Sequence, residues 1–202
     1  VRKIAEAAQR YHMRDCTDLA TLLTGDARQQ QAYHTLQALG IMATLQAFDP
    51  VLAGTIPLSI ATPASDLDVI CAVFPKQEQA FRALLHTHYA DLPGFVLRET
   101  VGQGQPAIVC NFQYQAFAVE VFGQACPSRQ QYAVRHMLVE QRVLEVGGEP
   151  WRAAVQQLKQ QGIKTEPAFA TLLQLPGNPY DALLALEHYT VAELQARLPP
   201  LP

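Results

Sequence analysis

Apolar positions recur with a helical period through the first 48 residues, give way to short apolar runs between residues 50 and 123, and return to the helical period afterwards. Gly25 breaks the first helical stretch. Asp26 then stands where it can cap a second helix running to about Leu39, with Gly40 as its stop. Ala32, Tyr33, Leu36 and Leu39 form the apolar stripe of that helix. A short helix over IMATLQAF delivers the chain to Pro50. VLAG is a brief apolar run stopped by glycine, IPLSIATPAS is rich in turn residues, and DLDVICAVF reads as a strand with a continuously apolar interior half. Pro75 fits the first turn of a helix through Phe81, Leu84 and Leu85 to about Tyr89. FVLRET, PAIVCNFQY and FAVEVFG are three further strands, the last two joined by a turn at QYQ.

Past Gly123 the pattern predicts a long helix over Gln130 to Val146, ended by Gly147 and Gly148. A second helix over 150–161 stops at Gly162. A third, TEPAFATLL, has Thr165 as N-cap and Pro167 in its first turn. DALLALEH and VAELQARL complete the helices, and LPPLP reads as a frayed end. No internal repeat and no long linker interrupt the chain. The expected architecture is an α/β (α+β) fold: a small mixed sheet flanked by helices, with a C-terminal helical region. Residues 1–125 are expected to hold the sheet and the N-terminal helices, and residues 126–202 the helical region packed on them.

Composition narrows the function classes. The 202 residues carry 15 Lys and Arg against 18 Asp and Glu, a formal charge of −3, so a basic surface over the whole molecule is excluded. Only 16% of residues are charged, and glutamines such as Gln29 to Gln31, Gln156, Gln157, Gln160 and Gln161 take up the polar surface instead. Cys16, Cys71, Cys110 and Cys126 lack metal-ligand spacing, and Cys71 and Cys110 sit in apolar strands as small core residues of a reducing compartment. With no long apolar span and no apolar signal region, the expectation is a cytoplasmic protein without a membrane. The chain starts without Met, which reads as a start behind a processed or disordered end.

Candidate chemistry concentrates in Gly54-Thr55-Ile56-Pro57 and Ser65-Asp66-Leu67-Asp68-Val69-Ile70. Asp66 and Asp68 are two apart on a strand and leave it on one face, while Leu67, Val69 and Cys71 face the core. Two carboxylates this close repel each other, and a divalent cation between them removes the conflict. Glu120 interrupts the apolar strand FAVEVF, and if that strand lies beside the first it completes a three-carboxylate cluster for Mg²⁺ or Mn²⁺. Gly54 allows a phosphate close to the backbone, and the Thr55 amide and hydroxyl can donate to it, beside Ser65. Taken singly, an Asp-x-Asp pair, a strand Glu or a Gly-Thr carries little information. Their order along the chain carries far more.

These residues resemble the nucleotidyltransferase superfamily of the polymerase-beta-like fold. Ala53, Gly54 and Thr55, a gap of ten residues, then Asp66 and Asp68 with a later Glu120, follow that family's motif. Thr55 is a mild departure that keeps a hydroxyl where Ser or Gly is usual. GTIP, SDLDVIC, VEVFGQ, YAVRHMLVE and GIKTEPAFA are also similar to segments of an uncharacterised bacterial family, the domain of unknown function numbered 4269. That resemblance implies the nucleotidyltransferase fold and supplies no substrate.

In the helical half, Arg135 and Arg142 share one helix face, and His136 and Glu140 are four apart on a neighbouring one. Arg135 or Arg142 is a candidate for nucleotide phosphate, Lys164 another ahead of Lys159, and His136 can orient a hydroxyl; equally, these are solvated helix charges and a His–Glu pair. Arg98 is a further candidate of undetermined strand parity, and His12, His34, His86, His88 and His188 have no ligand spacing. The resemblance implies transfer of an NMP from an NTP, with ATP expected, to an acceptor, releasing pyrophosphate. The low count of basic residues argues against long nucleic acid and for a small molecule, a nucleotide or a protein side chain. The alternatives are an inactive nucleotide-binding or regulatory module, with a protein partner, and a phosphodiesterase that uses water as the attacking group. The oligomeric state stays open.

Overall fold

The computed structural model describes residues 15–201. His12 and the beginning of the expected N-terminal helical stretch lie outside the described residues. The chain enters through a 3₁₀ helix, Leu19–Thr24, capped by the Asp18 side chain. Helix α1, Ala27–Leu39, starts at Asp26 with a full capping box to Gln29 and ends at Gly40, whose φ of 66° is left-handed. Four-residue α2, Ile41–Thr44, and a 3₁₀ turn lead to strand β1, Val51–Ala53. Strand β2 is Leu67–Ala72, and α3 is Glu78–Tyr89. Strands β3 (Val96–Gly102), β4 (Gln105–Tyr114) and β5 (Phe117–Gln124) follow.

The sheet order is β1-β2-β5-β4-β3. Only the β2–β5 pair is parallel, so the sheet is mixed. Two details depart from the sequence expectation. The β4–β5 turn lies at Gln115 and Ala116, because Tyr114 still pairs with Phe117. FVLRET extends to Gly102 and forms a hairpin with β4 through Gln103 and Gly104, both at positive φ, a turn that GQGQ encodes through its glycines.

Past β5 the chain is helical. Helix α4, Tyr132–Gln160, is interrupted at Gly148, whose φ of 66° and ψ of −158° are non-helical, so the glycine break falls where the sequence places it. Helix α5 is Thr165–Leu172; its N-cap is Lys164, and Thr165 is the first helical residue rather than the cap. Helices α6 (Pro179–Leu184) and α7 (Val191–Arg197) follow, and Leu198 and Leu201 pack against the helical core, so residues 198–201 are docked rather than frayed.

The sheet divides two apolar cores. Leu67, Val69, Cys71, Val119 and Val121 point to one face, where Leu36, Phe81 and Leu85 of α1 and α3 cover them. Ile70 points to the other, against Val134, Met137, Phe169 and Leu183 of the C-terminal helices. The alternation puts Asp68 and Glu120 on this second face, between sheet and helices. Cys71 and Cys110 are core residues, and burial pushes both thiols up to about 12. All four cysteines are free. Among the described residues no helix is long and apolar enough to cross a membrane.

Candidate active site

A cavity of about 780 Å³ opens between the second face of the sheet and helices α4 and α5. Its sheet side is built by register. Asp68 of β2 lies opposite Glu120 of β5, and Glu120 accepts a hydrogen bond of 3.0 Å from Asn111 Nδ2 on β4. Asp66 stands just before β2 and faces the same space. No described residue donates a hydrogen bond to the Asp68 carboxyl. Burial, together with the charges of Asp66, Glu120 and Glu166, pushes its pKa up to about 8.

Gly54 ends β1 at φ 82°, and a Cβ there would collide with the Asp68 carboxylate, so glycine is required for both conformation and space. Thr55 Oγ1 bonds Ser65 Oγ at 3.0 Å, and Ser65 Oγ accepts from the Thr62 amide at 3.0 Å, which folds the two ends of the 54–66 loop together. The loop is held from outside by side chains that sequence reading missed. Arg28 of α1 stacks on Phe117 at 3.7 Å and donates to the carbonyls of Pro63, Ser65 and Ala116. Gln29 Nε2 donates to the carbonyls of Ile56 and Pro57, and Arg152 and Gln156 of α4 donate to those of Leu58 and Ser59. Arg28 and Gln29 carry no local signal beyond their place in a capped first turn.

The helical wall is also charged. Lys159 Nζ donates to Thr165 Oγ1 at 2.8 Å. Burial lowers its pKa, against the opposing pull of Glu140, Glu166, Asp66 and Asp68. Lys164 lines the cavity from the α5 N-cap, exposed to solvent. Glu140 is 3% exposed, and burial with the nearby Glu166 pushes its carboxyl up to about 8. The sequence showed Glu140 only as half of a His–Glu pair. His136 instead sits between the carbonyls of Tyr132 and Tyr180, each 3.0 Å from a ring nitrogen, and clips α6 to α4.

The arginines expected near phosphate are engaged elsewhere. Arg135 makes a bidentate ion pair with Glu187 and is not among the cavity residues; Arg142 donates to the carbonyls of Tyr189 and Glu187. Arg98 is exposed on β3, the outer strand of the sheet.

Residues 34–186 match the family model described as Domain of unknown function (DUF4269). The chain belongs to the DUF4269 family. Among solved structures, the DUF4269 chain is similar to Cid1, described by its RNA terminal uridylyl transferase activity, with a TM-score of 0.51 and 12% identity over 79% of this chain and 48% of that one. It is similar to a chain of the GLD-2/RNP-8 complex, also with a TM-score of 0.51 and 12% identity, over 89% of this chain and 81% of that one. A Cid1 poly(U) polymerase structure with MgGTP bound matches with a TM-score of 0.50 and 12% identity, over 79% of this chain and 49% of that one. The DUF4269 chain thus spans about half the length of Cid1. At such identities the likeness establishes the fold, and it agrees with the resemblance to the nucleotidyltransferase superfamily. No curated protein matches.

Among the described residues no three His, Cys, Asp or Glu side chains form a ready-made metal-binding group. Asp66, Asp68 and Glu120 line one cavity as separate carboxylates, and Mg²⁺ is commonly bound by one or two carboxylates together with substrate phosphates. A carboxyl at Asp68 without a hydrogen-bond donor, raised by burial and neighbouring charge and packed close against Gly54, has the donor chemistry of such a site. The residues present fit a hard divalent cation.

Proposed function

We propose that this DUF4269 chain is a metal-dependent nucleotidyltransferase that moves an NMP from an NTP to a small acceptor. The observation that carries the reading is the register of Asp68 with Glu120, beside the Gly54 turn, in a cavity large enough for a nucleotide. Asp66, Asp68 and Glu120 would hold Mg²⁺ or Mn²⁺. When bound, the cation offsets phosphate charge and lowers the pKa of an attacking hydroxyl.

The chain's own groups supply the rest. The Gly54 turn lets a phosphate approach the backbone, and the Thr55 amide and hydroxyl, with Ser65 beside it, donate to its oxygens. Lys159 and Lys164 offset the outer phosphates from the helical wall. The acceptor hydroxyl attacks the α-phosphorus, the bond to the bridging oxygen breaks, and pyrophosphate leaves; the hydroxyl proton passes to a carboxylate oxygen of the cluster. ATP is the expected donor. The small count of basic residues in the chain favours a small acceptor over a long nucleic acid.

Calorimetric titration of each of the four NTPs, with Mg²⁺ or Mn²⁺, into wild type and an Asp66→Asn, Asp68→Asn double variant tests the reading. Metal-dependent binding of an NTP that the variant loses supports it. Absence of metal-dependent binding to every NTP overturns it.

A further inference from the structure

The carboxylates of the sheet do not exhaust the acidity of the cavity. Glu140 and Glu166 line its helical wall as well, so five carboxylates face two lysines. Lys159 donates to Thr165 Oγ1, and its ammonium is divided electrostatically among four carboxylates. Glu140 is the outlier of this group. It is 3% exposed, borders the cavity, and takes part in no hydrogen bond or ion pair with any described residue. Carboxyl groups are seldom enclosed in this way without a hydrogen-bond partner, because the ionised form gives up most of its water for the attraction of Lys159 alone. Its neighbours cannot serve as that partner: Glu166 repels it, and His136 is turned to two carbonyls.

On the nucleotidyltransferase reading, the nucleotide phosphates occupy the side of the cavity near Asp68, and the acceptor takes what remains. We infer that Glu140, assisted by Glu166, binds the ammonium group of an amine-bearing acceptor. An ammonium brings both the positive charge and the N–H donors that Glu140 lacks. It draws off the proton that the enclosed carboxyl otherwise holds at neutral pH; a hydroxyl brings one donor and no charge to do so, and a phosphate or carboxylate group is disfavoured beside Glu166. The inference rests on the transferase reading for the word acceptor, while the amine site itself is a property of Glu140 and can be measured alone.

The test is a titration, without metal or nucleotide, of ethanolamine, putrescine and glucosamine, each against its uncharged counterpart: ethylene glycol, 1,4-butanediol and glucose. Wild type, Glu140→Gln and Glu166→Gln are compared by ligand-observed NMR, with thermal unfolding as the check on folding. Wild type is expected to bind at least one amine about tenfold more tightly than its counterpart, the ratio that one shielded charge pair of about 1.4 kcal/mol supports. Glu140→Gln removes the preference and Glu166→Gln reduces it several-fold. Equal binding of amines and alcohols across the three pairs in wild type overturns the inference, as does an undiminished amine preference in a folded Glu140→Gln. If Glu140→Gln does not fold, the wild-type ratio and the Glu166→Gln comparison decide. Titration of Mg²⁺–ATP into the same wild-type sample separates the two proposals: nucleotide binding without amine preference removes only the acceptor class, and amine preference without nucleotide binding removes the transferase reading.

Discussion

Asp68 and Glu140 show two ways in which one cavity tolerates a carboxyl that is largely out of water. Asp68 sits among other sheet carboxylates, where a cation can settle the charge; Glu140 sits on the opposite wall between Glu166 and Lys159. Their consequences can be measured separately. Gly54→Ala puts a methyl group against the Asp68 carboxylate at a left-handed φ, and is expected to cost about 1–3 kcal/mol in a denaturant titration. The same variant should weaken Mg²⁺–NTP binding at least tenfold by calorimetry.

For Glu140 the pH dependence has a definite sign. Its folded pKa is raised from an ordinary 4.5 to about 8, so between those values the folded state holds a proton that the unfolded state has released. Stability from this group is therefore complete below about 4.5 and is lost as pH rises toward about 8. Glu166 and Lys159 are the charges that face it, and they oppose one another. Thermal unfolding of wild type and Glu140→Gln across this window should show the wild type losing ground to the variant as pH increases. Parallel curves would contradict the assignment.

At the scale of elements, the 54–66 loop is the part most dependent on distant support. It borrows hydrogen bonds from α1 through Arg28 and Gln29, and from α4 through Arg152 and Gln156. Arg28→Ala removes three carbonyl contacts and the stacking on Phe117, and should cost about 1–3 kcal/mol. It should also weaken nucleotide binding although Arg28 is not a cavity residue, a combination read by unfolding and calorimetry together. The loop's ends were legible in the sequence because Gly54, Thr55, Asp66 and Asp68 are local in spacing. The clamp was not, because Arg28 meets Ala116 across a sequence separation of 88. The α4 break was legible for the opposite reason: Gly147 and Gly148 are a local stop. Thr165 reads as a cap by type, yet its hydroxyl is taken by Lys159, and Lys164 holds the cap position instead.

At the scale of the molecule, the sheet is a partition. Period-two alternation sends one set of side chains to α1 and α3 and the other to α4 and α5, so Asp68, Glu120 and Gln124 arrive at a single cavity. That alternation made Asp68 and Glu120 readable as partners once β5 was placed beside β2. Glu140 was not readable, since MLVEQRVL gives the same string for a surface Glu and for one sealed under a second layer. Arg135 shows the converse case: a helix Arg that reads as a phosphate ligand is spent on Glu187. Arg135→Ala should cost no more than about 1 kcal/mol, because the pair is about a third exposed, and should leave Mg²⁺–NTP affinity within twofold.

The most direct measurement is a crystal structure of the protein soaked with Mn²⁺ and a non-hydrolysable ATP analogue, read by anomalous scattering. A manganese peak is expected to touch Asp66 and Asp68, with Glu120 beside it, and a phosphate chain to run from it along the Gly54–Thr55 turn. Manganese or nucleotide bound only elsewhere, with those carboxylates vacant, would contradict the transferase reading.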